Sequence, residues 1–442
     1  MEKIPTSNLQ GGMSIITGAT EKETQAAHIE ITGGRRIHGE VLISGSKNAS
    51  LPIIAACLLA AKPVLLNNVP NLDDVKTLSD LLISLGAHCS RFEDEGLLVD
   101  TSDVASQFPP AEFVSKMRAS ALVMGPLLAR FHHAVIPLPG GCKLGPRPID
   151  IHLDGLSKLG CSFTLSGDVV YVSCDKLIAA DIPLRFPSVG ATENIMMAAC
   201  LAQGETTIIG AAKEPEITAL ADFLNALGGR VKGAGDDIIT VEGVRELSGG
   251  EFSIIPDRVE CGTYLIAGAC AGGDIVCRRA NAEHLTALLD ILREAGCEMD
   301  IQREYIRLTA PPRTKAIDIR TQPYPGFSTD LQPQIMALNA GARGEAIIVE
   351  KIFQQRFLVK DELCKMGAKI RQVENAALTI GQAKLHGADV NATDIRASAA
   401  LICAALRAEG TTRIFNLEHM FRGYEKPLDK LTGLGAEVVL RS

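Results

Sequence analysis

Tryptophan is absent from this chain and aromatic residues make up only 4%, so any core it builds must be aliphatic. Its 12 cysteines are scattered, with no C-x-x-C pair and no histidine cluster beside them. That excludes a zinc site or a disulfide framework and makes most of them small buried core residues. Long apolar runs are missing too. The uncharged stretch from Asn48 to Ala61 stops at Lys62, well short of the roughly 20 residues a membrane span requires. With no span and no secretory signal, a cytoplasmic protein without a membrane partner is expected. Positive charge is in deficit, 44 Lys+Arg against 52 Asp+Glu for a net charge of -8. This argues against a nucleic-acid surface but permits a local basic pocket for an anion. Residues 1-28 are polar and aperiodic and read as a disordered extension.

The 442 residues are too many for one ordinary core, so two domains are expected. One short pattern, an apolar helical end followed by Gly and a strand, returns six times: LLISLGAHC, DGLSKLGCSF, DFLNALGGRV, DILREAGCEM, DELCKMGAKI and DKLTGLGAEV. The glycines are Gly86, Gly160, Gly228, Gly296, Gly367 and Gly435, a period near 70 residues. Each sits where a helix must stop and turn, which favours a left-handed residue. Between them recur short β-branched strands, as in GETTIIG and GEAIIVE. Each unit therefore reads as βαβαββ. A unit of this size can bury its helices only against sister units, so three per domain, twice over, is the economical α/β packing.

Several segments combine Gly, Pro and unpaired charge. In ISGSKNASLP, Lys47 and Asn48 follow a strand and open an apolar helix, where an anion meets both a cation and backbone N–H groups. A surface lysine beside a helix cap is the plainer alternative. In KMRASALVMGPLLAR, Arg118 precedes an uninterrupted apolar helix. LPGGCKLGPRP sets Cys142 among Gly140, Gly141 and Gly145, with Lys143 and Arg147 close enough to hold a thiol partly ionised. In the following RPIDIHLDGL, Asp150 and His152 alternate with apolar residues, and His152 is most simply a satisfied loop or strand histidine. Asp257 and Arg258 in PDRVECGTY read equally well as an ion pair. Asp330 lies in the turn YPGFSTDLQPQ, where N-capping is the strong alternative. Arg396 and Arg422 stand at element boundaries and singly read as surface arginines. Together Lys47, Arg118, Arg147, Arg396 and Arg422 would form a cationic set suited to phosphate and carboxylate groups.

The segments SGSKNASLP, KMRAS, LPGGCKLGPRPIDIH, PSVGATEN, FSTDLQPQ, ATDIRASA and FRGYE, in that order from about residue 29 to the end, resemble those of the UDP-N-acetylglucosamine 1-carboxyvinyltransferases, a branch of the enolpyruvyl transferases. The resemblance implies an inside-out α/β barrel, two domains each of three βαβαββ units with pseudo-threefold symmetry: residues 29-46 plus 257-442, and 47-256 carrying the Cys142 loop. It implies transfer of the enolpyruvyl group of phosphoenolpyruvate to the 3-hydroxyl of UDP-N-acetylglucosamine with release of phosphate, the first committed step of peptidoglycan synthesis. Its partners would be those two small molecules; no metal or organic cofactor is required, and oligomeric state stays open. By motif match Lys47 and Asn48 would hold phosphoenolpyruvate, with Arg147, Arg396 and Arg422 on its phosphate and carboxylate. Arg118, the run Arg147, Pro148, Ile149, Asp150, Ile151, the run Phe186, Pro187, Ser188, Val189, and Ile352 would line the nucleotide-sugar pocket. Asp330 would act as general base, and Cys142 as proton donor and the residue that fosfomycin alkylates in relatives. Phe421 replaces an Asp usual in relatives, and Phe186 a Lys found in some. An enolpyruvyl transferase acting on another nucleotide, or a catalytically silent nucleotide-sugar-binding paralogue, are therefore the alternatives.

Overall fold

A helix buried along nearly all its length must be surrounded by protein, and six helices of this chain have that character: α1 (Lys47–Ala56), α2 (Met124–Phe131), α3 (Val189–Ala199), α4 (Arg258–Ala271), α5 (Gln332–Gly341) and α6 (Ile395–Arg407). They form the inside of the molecule in a computed structural model, which describes residues 27-92, 95-106, 108-110, 118-137, 149-353 and 355-441. In the C-terminal set α4, α5 and α6 each pack on the other two, and α4 is buried along its whole length after Arg258. In the other set α2 lies against α3, and α1 against the 3-10 turn Arg118–Val123 and the outer helix Pro215–Ala226. Small residues set these approaches. A Cβ at Gly125 would lie 2.3 Å from the carbonyl oxygen of Asn194, so α2 and α3 can meet only through a glycine there.

Sheets lie outside the helices: among the described residues, five of four strands and one of three. The unit from Ile319 to Ile380 shows the pattern complete. Strand Ile319–Arg320, α5, strand Glu345–Val349, helix Val359–Lys365 and the hairpin of Lys369–Val373 with Ala376–Ile380 follow in order. The first two strands pair in parallel and the rest antiparallel. Other units borrow distant strands. His28–Thr32 lies between Thr411–Phe415 and Glu437–Arg441, and Gly250–Ser253 runs parallel beside Val64–Asn67. All six repeat glycines adopt the left-handed backbone the repeat demanded, with φ between 79° at Gly435 and 108° at Gly86.

Two separate apolar cores result. One draws on residues between Ala49 and Ile254. The other joins Ile29, Ile31, Ile37, Val41 and Ile43 to residues between Val259 and Ala436. The chain crosses between them twice, and the two crossings are paired: Ser46 N–H donates to the Ile255 carbonyl at 2.7 Å and Asp257 N–H to that of Ser44 at 2.9 Å.

Three local readings are corrected. The apolar helix expected after Arg118 is broken into a 3-10 turn and α2, because Pro126 has no N–H to carry a helical ladder back into the preceding turn. Asp150 and His152 lie on a helix, Asp150–Lys158, not in a loop or strand. At the N-terminal end, His28 is already buried in a strand, so the polar stretch does not extend through it. Residues 1-26 lie outside the described residues. No helix among those described is long and apolar enough to cross a membrane.

Candidate active site

The first turns of α1, α4 and α6 and the turn before α5 lie close to one another, and polar side chains gather there. Lys47 is the first residue of α1, capped by Ser46, whose side chain accepts from Ala49 N–H at 3.2 Å. Its own N–H donates to Asp257 Oδ2 at 3.1 Å. Asp257 in turn caps α4, accepting from Val259 and Glu260 at 2.8 and 2.9 Å. The suggested Asp257–Arg258 ion pair is therefore not formed. Arg258 instead donates to both oxygens of Glu216 at 3.0 and 3.2 Å, a buried pair that joins the two cores.

Two carboxylates organise the remaining cations. Asp74 accepts from Lys47 Nζ at 3.3 Å and from Arg422 Nε at 3.0 Å. Asp330 accepts from Arg396 at 2.9 Å and from Arg356. Asp330 is not the cap: Ser328 accepts its N–H and so caps the turn, which frees the Asp330 carboxylate for the arginines. Arg396, far from being a surface residue, is buried in the first turn of α6, with Asp394 as that helix's cap. Its second contact is the Tyr424 hydroxyl at 3.4 Å, which also hydrogen-bonds Thr263 at 3.0 Å.

The electrostatic balance follows from burial and pairing. Burial would raise the Asp330 carboxyl, but Arg396, Arg356 and Lys47 outweigh it and hold the group well below the usual carboxylate range. Burial would lower the Arg396 guanidinium, yet Asp330, Tyr424 and Asp257 together outweigh it and the net shift is upward. For Lys47 burial wins: the ammonium is pulled below its ordinary value against the upward influence of Asp74. Arg396 and Asp330 both act on Lys47 electrostatically, so the two carboxylate centres belong to one cluster.

The other sequence-predicted residues divide into groups. Asn48 is half-buried beside Lys47. Phe186, Pro187, Ser188 and Val189 form the head of α3, with Ser188 its cap and Phe186 exposed. Ile149, Asp150 and Ile151 lie alongside. Arg185, next to Phe186, pairs with Asp150 and Asp154, and a Cβ on Gly190 would touch the His152 ring at 3.1 Å. His152 itself bonds the Asn194 amide at 2.9 Å, the structural role expected of it. Ile352 is tied to the Asp330 turn through Glu350, which accepts from Ile352 N–H at 2.7 Å and from Thr329 at 3.0 Å. Phe421 packs against the C-terminal core. Arg118 opens the 3-10 turn before α2. Cys142, Lys143, Arg147 and Pro148 lie outside the described residues.

Sequence reasoning missed Asp74, Arg356, Glu216 and Glu350. Asp74 stands in a helix's first turn, where acidic residues are common for reasons of dipole alone. Arg356 gave no better signal, since it stands in the largely polar segment KIFQQRF, yet it is buried. Among the described residues no group of three or more His, Cys, Asp or Glu could hold a metal ion.

The EPSP synthase (3-phosphoshikimate 1-carboxyvinyltransferase) family model matches residues 31–431. UDP-N-acetylglucosamine 1-carboxyvinyltransferase 1 of Staphylococcus aureus (strain bovine RF122 / ET3-1) and UDP-N-acetylglucosamine 1-carboxyvinyltransferase 2 of Staphylococcus saprophyticus are each 48% identical over 413 residues, 93% of this chain and 98% of theirs. Among solved structures, the enolpyruvyl transferase NikO from Streptomyces tendae aligns with a TM-score of 0.85 at 26% identity, over 94% of this chain and 99% of that one. EPSP synthase from Acinetobacter baumannii aligns at 0.75 and 17% identity over 94% of this chain and 100% of its own, a likeness of fold alone.

Proposed function

We propose, from the premise that the chain belongs to the EPSP synthase family of enolpyruvyl transferases and has their inside-out α/β fold, that it moves the enolpyruvyl group of phosphoenolpyruvate onto the 3-hydroxyl of UDP-N-acetylglucosamine and releases phosphate. The 48% identity to carboxyvinyltransferases across nearly the whole of both chains carries this reading. The step commits the sugar to peptidoglycan. The eleven described cysteines are all free, which fits a reducing, cytoplasmic compartment. The two cores correspond to two domains, 29-46 plus 257-442 and 47-256, meeting at the paired crossings.

Lys47, Asn48, Arg396 and Arg422, with Arg147, take the phosphate and carboxylate of phosphoenolpyruvate. Cations already fixed by Asp74 and Asp330 need little reorganisation as charge develops on the leaving phosphate. The runs Arg147–Ile151 and Phe186–Val189, with Arg118 and Ile352, bind the nucleotide sugar. Asp330 takes the proton of the acceptor hydroxyl as that oxygen bonds C2 of phosphoenolpyruvate, and Cys142 delivers a proton to C3. Breaking the C–O bond to phosphate, with loss of a C3 proton, then restores the double bond. A carboxylate held by two arginines is a weak base. When phosphoenolpyruvate draws Arg396 toward its own anionic groups, the Asp330 carboxyl rises and becomes competent, so base strength is coupled to occupancy.

The test is phosphate release from phosphoenolpyruvate with a panel of nucleotide and nucleotide-sugar acceptors, with product mass measured. UDP-N-acetylglucosamine is expected to give the largest kcat/KM and a product heavier by one enolpyruvyl group. Turnover only with another acceptor would overturn the substrate assignment, and no turnover with any would favour a binding protein.

A further inference from the structure

One cysteine pair differs in geometry from the rest. In the hairpin of Ser162–Ser166 with Val169–Ser173, Ser162 is paired with Ser173, so the next residues outward, Cys161 and Cys174, stand opposite one another. The Cys174 N–H donates to the His132 carbonyl at 2.9 Å. Its backbone polar groups therefore point to the strand His133–Pro137, away from Cys161, and the Cys161–Cys174 pair occupies a non-hydrogen-bonded position of the antiparallel ladder. At such positions Cα atoms approach to about 4.5 Å and the side chains come closest, within the span a disulfide bridges. Burial pushes both thiols up, and each influences the other; Cys174 Sγ lies 4.0 Å from His132 Nδ1. Cys174 is half-exposed and His132 exposed, so a reagent can reach this end of the hairpin. The thiols of Cys261 with Cys277 and of Cys270 with Cys403 also influence one another, but both pairs are sealed in the core.

We propose that Cys161 and Cys174 form a reversible disulfide by exchange with a low-molecular-weight disulfide. Cys174 reacts first, since it is the more accessible and lies beside the His132 imidazole. Its thiolate attacks one sulfur of the small disulfide, forming a mixed disulfide and expelling one small thiolate, which takes up a proton. Cys161 then loses its proton to solvent and attacks Cys174 Sγ, expelling the second small thiolate. The two protein thiols are oxidised by two electrons and the small disulfide is reduced to two thiols. The link spans the hairpin end beside His133–Pro137, the strand that leads in sequence toward Cys142.

The experiment incubates the full chain across ratios of glutathione disulfide to glutathione, quenches with acid and maps peptides by mass. The Cys161 and Cys174 peptides are expected to appear joined, lighter by two hydrogens than their sum, while the exposed Cys364 takes up glutathione and shows that the buffer is competent. Cys161→Ala is expected to stop at glutathione on Cys174, and Cys174→Ser to leave Cys161 reduced. A wild-type chain that halts at the mixed disulfide on Cys174, or keeps both thiols reduced while Cys364 reacts, overturns the proposal. The wild-type measurement decides even if a variant folds poorly, and it does not depend on the enzyme's substrate.

Discussion

Asp74 and Asp330 each bind two cations at the junction of the cores, yet they are built differently. Asp330 takes Arg356 and Arg396, both deeply buried and both from the C-terminal core. Asp74 belongs to the other core and reaches across to Arg422, which keeps about a third of its side chain exposed at 34%, while its second cation, Lys47, is nearly sealed at 10%. The Asp330 centre can therefore survive any relative movement of the two cores, whereas the Asp74–Arg422 contact must break or lengthen when they part. In the proposed reaction one carboxylate stays with the reacting centre, while the other is an internal anion occupying cations that the substrate anion would take.

The largest consequence of that difference concerns Asp330. Asp330→Asn is expected to lower kcat by about 10³-fold, in the range for loss of a general base, with acceptor KM changed little. It also leaves two buried guanidiniums without their carboxylate, so the urea midpoint should fall by an amount equivalent to about 3 kcal/mol or more. Kinetics with more than a tenth of normal turnover would remove Asp330 from the chemistry and leave it a structural anchor.

Arg396→Ala and Arg422→Ala sharpen the comparison on the cation side. Each is expected to cost about 10²- to 10³-fold in kcat/KM for phosphoenolpyruvate, the loss of roughly 2–4 kcal/mol of charge stabilisation. Arg396→Ala should also destabilise the fold more than Arg422→Ala, because the Arg396 side chain is itself buried whereas Arg422 keeps about a third of its side chain exposed. Equal thermal stability of the two variants would mean that the centres are not distinct in the way their burial suggests.

The contrast also shows which features the sequence could reveal. The six repeat glycines were legible because a left-handed helix terminus is a local demand, satisfied by one residue type. Lys47, Arg396 and Arg422 were legible as cations at element boundaries, Lys47 and Arg422 with Gly and Pro close by. Their counter-ions were not. Asp74 lies 27 residues from Lys47 and 348 from Arg422, and nothing within its own helix distinguishes it from an ordinary first-turn acid. Arg356 lies 26 residues from Asp330, and only the folding of that turn onto α5 brings them together. The break before α2 was readable from Pro126, whereas the helix at Asp150 was hidden by a short segment whose alternation suits a strand as well.

A smaller effect is expected at Asp74 itself. Asp74→Asn removes the internal anion without removing either cation, so inorganic phosphate should bind the ligand-free enzyme about fivefold more tightly, the equivalent of the roughly 1 kcal/mol that a partly exposed pair contributes. Titration calorimetry with phosphate measures it directly. Weaker binding in the variant would show that Asp74 positions Lys47 and Arg422 for the ligand rather than competing with it.

The smallest effect on turnover is expected at a third carboxylate, Glu260, which is pinned to the crossing between cores and not to the anion-binding cations. It accepts from Ser44 N–H at 2.7 Å and from Lys430 Nζ at 2.6 Å. Burial pushes its carboxyl up to about 7, against the downward influence of Lys430, from an ordinary value of 4.5. Between those two pH values the folded chain holds a proton that the unfolded chain has released, so this group's contribution to stability is present at the acid end and is lost as pH rises toward 7, with no further change above. Glu260→Gln cannot ionise and should abolish that component. The difference in unfolding free energy between wild type and variant, from urea titrations at several pH values, should therefore fall from about pH 4.5 to 7 and then level off, while turnover at neutral pH stays the same. A difference that stays nearly level across this window would mean that Lys430 holds Glu260 ionised throughout, and that the crossing is fastened by a permanent ion pair rather than by a group that titrates.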